Sequence, residues 1–216
     1  MAAKKTTKKA AEAEVKEIIV KLNLKTIRVP IEGIAPLIVS RFDEKSRQQI
    51  EESGQEGLKQ GGKRKNIVPP DEQYRKSIYY FDDGETCGFP AVAFKAAMVT
   101  AAYRTYGRPQ TVTRSAFHVI ADDPVTGLVK INGKHRMRED MVRVGGINKV
   151  ASPRYRAEFP SWSAVLTIQF LEDVISEKEI VGLVSASGFT CGVGEWRPEK
   201  SNSGSFGLFR VAEGKK

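Results

Sequence analysis

Between Pro90 and Pro109 the chain holds one uninterrupted helical pattern, and its punctuation constrains the fold more than any other feature of the sequence. Pro90 suits the entry to a helix, Gly107 suits a left-handed stop, and Pro109 confirms that stop. The pattern predicts a helix over 91–106. Val92, Ala96, Val99, Tyr103 and Tyr106 recur at steps of four, three, four and three, so this stripe is expected to face the core. Lys95 and Arg104 fall off the stripe and are expected in water. A second helix is expected over 176–187, because Ser176 is followed three residues later by Glu179, the pattern of a capping box. Ile180, Leu183 and Val184 would form its buried face.

Strand patterns surround both helices. Leu22, Leu24, Ile27 and Val29 show period-two stretches in a strand over 17–31, with Pro30 marking its end or an edge. Segments 117–120 and 128–131 flank Asp122-Asp123-Pro124-Val125-Thr126-Gly127, which has hairpin chemistry. Residues 154–170 read as one long strand, and 205–211 as the last. A shorter aromatic pair, 77–81 and 86–89, flanks the turn signal Asp83-Gly84. The polar stretch 43–76 is expected to be an insertion outside the core, with a weak helix over 44–58 and a loop carrying Lys63-Arg64-Lys65. Without insertions the order is strand, helix, strand, strand, helix, strand. That order predicts an α+β fold with a ferredoxin-like core: an antiparallel sheet, two helices on one face, and an open face of a kind that binds single strands elsewhere. The expected organisation is a basic arm over 1–16 and one domain over 17–216, with insertions at 43–76 and 132–152.

Charge gives the function class. The net charge is +9, which favours polyanionic partners through long-range attraction and counterion release. Four lysines lie in the first ten residues. The stretch 134–156 carries Lys134, Arg136, Arg138, Arg143, Lys149, Arg154 and Arg156, opposed only by Glu139 and Asp140. Gly145-Gly146 sits in its middle, as in a long projecting hairpin or loop. Arg154 and Arg156 alternate onto one face of a strand and Tyr155 onto the other. Two guanidinium forks in line can track a phosphate backbone, or form a salt-bridged structural pair.

No set of residues reads as a catalytic centre. His118 lies on a strand among apolar residues, and His135 stands alone in the basic stretch. Asp82-Asp83 and Asp122-Asp123 fall where turn acids are expected. Cys87 and Cys191, with the two histidines, lack the paired spacing of zinc ligands and read as ordinary thiols. No metal and no cofactor is expected. No run of about 18 apolar residues suggests a membrane span, and Met1 to Lys9 lacks the apolar core of a secretory signal. A cytoplasmic protein of a bacterial or phage-infected cell is expected.

The last informative segment is Gly192-Val193-Gly194-Glu195-Trp196-Arg197-Pro198, followed by Lys200 and Gly204-Ser205-Phe206-Gly207, with Gly188 just before it. Glycines admit close approach of a backbone or a phosphate, and Trp196, Arg197 and Lys200 add stacking and charge. It lacks the Gly-Lys-Ser/Thr ending of a phosphate-binding P-loop. This segment resembles the glycine-rich loop of the RAMP superfamily, the ferredoxin-like RNA-binding backbones of CRISPR effector complexes, phage-encoded relatives included. Pro36-Leu37-Ile38-Val39-Ser40 and the central basic insertion are similar as well. The resemblance implies a non-catalytic protein that binds single-stranded RNA or DNA and assembles with copies of itself into a helix or ring. It departs from the family's nucleases in lacking a histidine or aspartate in a recognisable endonuclease context. Two alternatives stand beside it: a structural assembly protein, for example a viral one, and a metal-dependent nuclease using the aspartate pairs.

Overall fold

The computed structural model describes residues 22–41, 68–144 and 150–213. The elements in chain order are β1 (Leu24–Gly33), β2 (Leu37–Val39), α1 (Pro70–Ser77), β3 (Tyr79–Tyr80), β4 (Cys87–Pro90), α2 (Ala91–Tyr106), α3 (Gln110–Ala116), β5 (Phe117–Ile120), β6 (Leu128–Lys130), β7 (Arg136–Val144), β8 (Val150–Phe159), β9 (Ser163–Leu171), α4 (Glu177–Thr190) and β10 (Phe209–Val211). The class is α+β with antiparallel sheets, as expected.

The main sheet has the order β10-β1-β9-β5, antiparallel throughout. Along β9 every second residue is buried: Ala164, Leu166, Ile168 and Phe170. Opposite them in register lie Ile31, Val29 and Ile27, and Phe117 faces Phe170. Helices α2 and α4 pack on each other over this face, α2 against β5 and α4 against β10. The capping box of α4 forms as expected: Ser176 Oγ accepts from Glu179 N, and Glu179 Oε2 accepts from Ser176 N. Ile180, Leu183 and Val184 are buried, as expected.

Helix α2 occupies 91–106, the expected range, but buries the opposite face. Its core residues are Ala91, Phe94, Ala97, Met98, Ala101 and Ala102. Val92 is 73% exposed, Tyr103 56% and Tyr106 60%. The cause is a helix that carries two apolar stripes. Ala91, Phe94, Met98 and Ala101 follow the same helical spacing, and their alanines let the backbone come close to the sheet.

Three expected strands are cut differently. The stretch 154–170 breaks at Pro160-Ser161-Trp162 into β8 and β9, which belong to different sheets. Trp162 turns inward at the break: its Nε1 donates to Ala35 O at 2.9 Å and its carbonyl accepts from Gly33 N at 2.8 Å. Segments β5 and β6 do not form a hairpin, because β6 pairs with β4 in a third sheet, β3-β4-β6. The last strand is only β10. The first begins at Leu24 and continues through Pro30 to Gly33; Pro30 stands opposite Val165 of β9, and on its other side its carbonyl accepts from Ala212 N at 2.9 Å, just past the end of β10. Residues 17–21, the arm over 1–16, and the expected helix at 44–58 with Lys63-Arg64-Lys65 lie outside the described residues.

The end of the expected insertion 43–76 is structural. Residues 70–77 form α1, with Pro70 in its first turn, Asp71 and Glu72 near its start and Arg75 and Lys76 near its end, as the helix dipole favours. It packs on β8, where Ser77 Oγ accepts from Ala157 N at 2.8 Å.

Candidate nucleic-acid interface

The described part of the stretch expected as an insertion over 132–152 belongs to a long ribbon, and 145–149 lie outside the described residues. Strands β7 and β8 pair antiparallel over nine positions, and β2 extends the sheet along the base of β8. Pro153 and the charged edge β7 discourage further strand pairing. The register sets Arg136 opposite Glu158, Arg138 opposite Arg156, and Asp140 opposite Arg154. These six residues share one face by strand alternation. Met137, Glu139, Met141, Pro153 and Tyr155 occupy the other.

The charged face is graded along its length. At the base, Glu158 is buried, with a side chain 3% exposed, and accepts from Arg136 Nε at 2.7 Å and Arg138 Nη1 at 2.9 Å. Burial would raise the Glu158 carboxyl, but the two arginines hold it below the ordinary carboxylate range. Arg138 also donates from Nε to Asp140 Oδ1 at 2.9 Å, and its guanidinium carbon lies 4.7 Å from the centre of the Phe206 ring. Further out, Arg156 Nη1 stands 3.9 Å from Asp140 Oδ2, too far for a hydrogen bond, and both atoms are buried without one. Arg154 is exposed and has no ion-pair partner among the described residues. Lys134 is exposed before β7. Arg143 lies in β7 opposite Ala151, and Lys149 lies outside the described residues. Four arginines thus face two carboxylates; the register places the surplus at the Arg138–Arg156 pair, and Arg154, opposite Asp140, is exposed without an ion pair among the described residues.

The glycine-rich segment meets this ribbon at Phe206 but is built differently. Gly188 is the twelfth residue of α4, not part of the loop. The loop is fastened by Val193 N to Gly207 O at 3.0 Å, Glu195 N to Ile38 O at 2.9 Å, and Gly207 N to Pro36 O at 2.8 Å. At Gly207, with φ at +66°, a Cβ would fall 1.7 Å from Val193 O, and at Gly204 it would fall 1.9 Å from Trp196 O. Gly192 and Gly194 also have left-handed φ. These glycines admit the chain's own backbone. Arg197 is consumed inside the loop, donating to Glu199 Oε2 at 3.0 Å and Gly194 O at 2.7 Å. Trp196 is 37% exposed and holds φ at +56°, a strained value for a bulky residue. Lys200 is exposed. Trp196 and Lys200 are therefore the segment's accessible members of the expected site.

The open face of the main sheet presents Thr26, Arg28, Thr167, Gln169, His118 and Ile120, with no Phe, Tyr or Trp among them. His118 Nδ1 lies 3.0 Å from Lys95 Nζ. His135 is a half-buried packing residue: its Nδ1 is 2.5 Å from the Tyr74 hydroxyl and its ring is 5.4 Å from that of Phe159. Asp83 caps its own turn by accepting from the backbone of Glu85 and Thr86, each at 2.8 Å, and Asp123 accepts from Val125 N at 2.9 Å. Cys87 is half-buried, Cys191 is buried, and both are free. Among the described residues no three His, Cys, Asp or Glu side chains gather as metal ligands do.

Two members of the interface carry no signal in the basic stretch itself. Glu158 lies two residues beyond Arg156, where strand alternation already puts it on the arginine face. Phe206 is visible in the sequence as an aromatic among the glycines of the last segment, but nothing in that segment shows that it packs on a distant strand.

No family model matches the chain, and no curated protein matches it. Among solved structures it is similar to the crystal structure of Cmr6 from Pyrococcus furiosus, at 11% identity over 89% of this chain and 100% of that one, with a TM-score of 0.42. It is also similar to a chain of the Type III-B Cmr-beta complex bound to cognate target RNA, at 10% identity and a TM-score of 0.46. That match covers 88% of this chain and 59% of the other. With both TM-scores below 0.5, the likenesses say nothing about which residues bind a ligand, and the site rests on its own geometry.

Proposed function

We propose that the chain is a non-catalytic, cytoplasmic binder of single-stranded nucleic acid, RNA or DNA, and that copies of it assemble along the strand. We read its main sheet as ferredoxin-like: β1, α2, β5, β9, α4 and β10 follow the order strand, helix, strand, strand, helix, strand, and the spatial order is fourth, first, third, second. The observation that carries the function is the graded arginine face of the β7–β8 ribbon. Cations outnumber carboxylates there two to one, and Phe206 adds a ring at the base. Guanidinium groups bind phosphates bidentately and rings stack any base, so such a surface recognises strands with little sequence preference. The residues assigned to phosphate are Arg154 and Lys134 first, then Arg136 and Arg156. Arg138 positions Phe206, and Arg197 holds the loop.

Ultraviolet crosslinking of a labelled single-stranded oligonucleotide, followed by peptide mapping, tests the assignment. Crosslinks are expected on β7–β8 and around Phe206. Crosslinks confined to the open sheet face around Arg28 and His118 would overturn it. Light scattering tests assembly: particle mass should grow in whole-chain steps when a long single strand is added, and a strict monomer in both states would exclude it.

A further inference from the structure

An open hollow of about 540 Å³ lies between the end of α2 and the start of α4, lined by Tyr106, Arg108, Lys178, Glu179, Gly182 and Leu183. Its size is within the roughly 300–1,000 Å³ usual for ligand sites. Gly182 is its telling residue. It sits inside α4, where glycine is among the poorest helix formers. Nothing in the fold requires it: its φ is not left-handed, and outside its own helix a Cβ there would meet only the Tyr106 hydroxyl, at an ordinary 4.0 Å. What the missing side chain leaves is room beside an exposed ring.

The rest of the lining complements an anion that also carries a ring. Arg108 is fixed in place, with Nη2 donating to Val174 O at 3.1 Å and Nη1 to Glu179 Oε1 at 3.3 Å. Three of its five N–H donors stay available. Lys178 is exposed with no partner among the described residues. The carboxylate of Glu179 is occupied by Ser176 and Arg108. Tyr106 supplies a face for stacking, and Leu183 an apolar floor.

We infer that the hollow over Gly182 binds a nucleoside phosphate, with the base against Tyr106 and the phosphate on Lys178 and Arg108. The site lies on the helix layer, apart from the β7–β8 ribbon, and does not depend on the ribbon binding a strand. The ligand is either a free mononucleotide or the phosphorylated end of a strand, since both present the same chemistry.

Calorimetry on the full chain tests this with adenosine 5′-monophosphate, adenosine, inorganic phosphate, and a short oligonucleotide with or without a 5′-phosphate. The monophosphate should bind saturably and more tightly than adenosine or phosphate alone. Preference for the 5′-phosphorylated oligonucleotide over the monophosphate would identify a strand end as the ligand. Gly182→Leu fills the hollow while favouring the helix, and should weaken binding about tenfold or more, the size of one lost base stack. Its melting temperature should be unchanged or higher, which separates a lost site from a lost fold. Lys178→Glu should remove the advantage of the monophosphate over adenosine. Absence of saturable binding by either phosphorylated ligand would overturn the inference, and so would Gly182→Leu binding as the wild type does.

Discussion

The β7–β8 ribbon and the loop over 192–207 share residue types, arginine and aromatic rings, yet they use them in opposite ways. In the loop, Arg197 finds Glu199 and a backbone carbonyl within its own turn, and the glycines receive neighbouring backbone. On the charged face of the ribbon, two carboxylates serve four arginines, and the outermost, Arg154, is left exposed. A basic segment is available to a ligand only to the extent that cations exceed the carboxylates that cross-strand pairing brings within reach. The loop's arginine is spent on its own fold, and the ribbon's charged face keeps arginines in excess of its carboxylates.

The largest expected effect comes from the loop. Gly207→Ala places a Cβ against Val193 O at a left-handed φ. It should lose roughly 3 kcal/mol or fail to fold, as read by chemical denaturation. A change under about 1 kcal/mol would show that the loop yields and does not hold the fold together. At the ribbon base, Glu158→Ala removes the acceptor of two arginines and should lose about 2 kcal/mol. The same variant should bind single strands more tightly, because it removes one of the two opposing acids. Weaker binding by a folded Glu158→Ala would mean that Glu158 orders the arginines for the ligand.

Smaller effects belong to the outer ribbon and to pH. Arg154→Ala should leave stability within about 0.5 kcal/mol of wild type. Its slope of log affinity against log salt should become shallower by about 0.7, one phosphate contact on a single strand. Arg197→Ala should instead reduce stability and leave that slope unchanged. The carboxyl of Glu158 is held below its unfolded value of about 4.3. Its contribution is therefore complete above that value and is lost as pH falls through the folded value. Acid denaturation of Glu158→Gln should show a weaker dependence in that window, and an unchanged profile would assign the acid sensitivity to other groups.

Much of the architecture is legible in the sequence because it is written in local chemistry. The range of α2 follows from Pro90 and Gly107, the start of α4 from Ser176 and Glu179, and the β7–β8 ribbon from its charge and Gly145-Gly146. What is illegible depends on partners distant in sequence. Two stripes of α2 obey the same period, and only the sheet beneath selects Phe94 and Met98 over Val92 and Tyr103. Pro160 reads as part of a strand because the bend is held by Trp162 reaching Ala35. Helix α3 escapes a local reading because Pro109 ends one helix and opens the next. The site is legible as a stretch of charge and not as a gradient, since the grading depends on Glu158 and Phe206.

The most direct measurement of the central claim is fluorescence anisotropy of a labelled single strand titrated with wild type and with Lys134→Ala/Arg154→Ala across a range of salt. The wild type should bind with a steep salt dependence, and the double variant, folded by circular dichroism, should bind more weakly with a slope reduced by about 1.4, two phosphate contacts. Equal affinities and equal slopes for the two proteins would contradict a nucleic-acid interface on the β7–β8 ribbon.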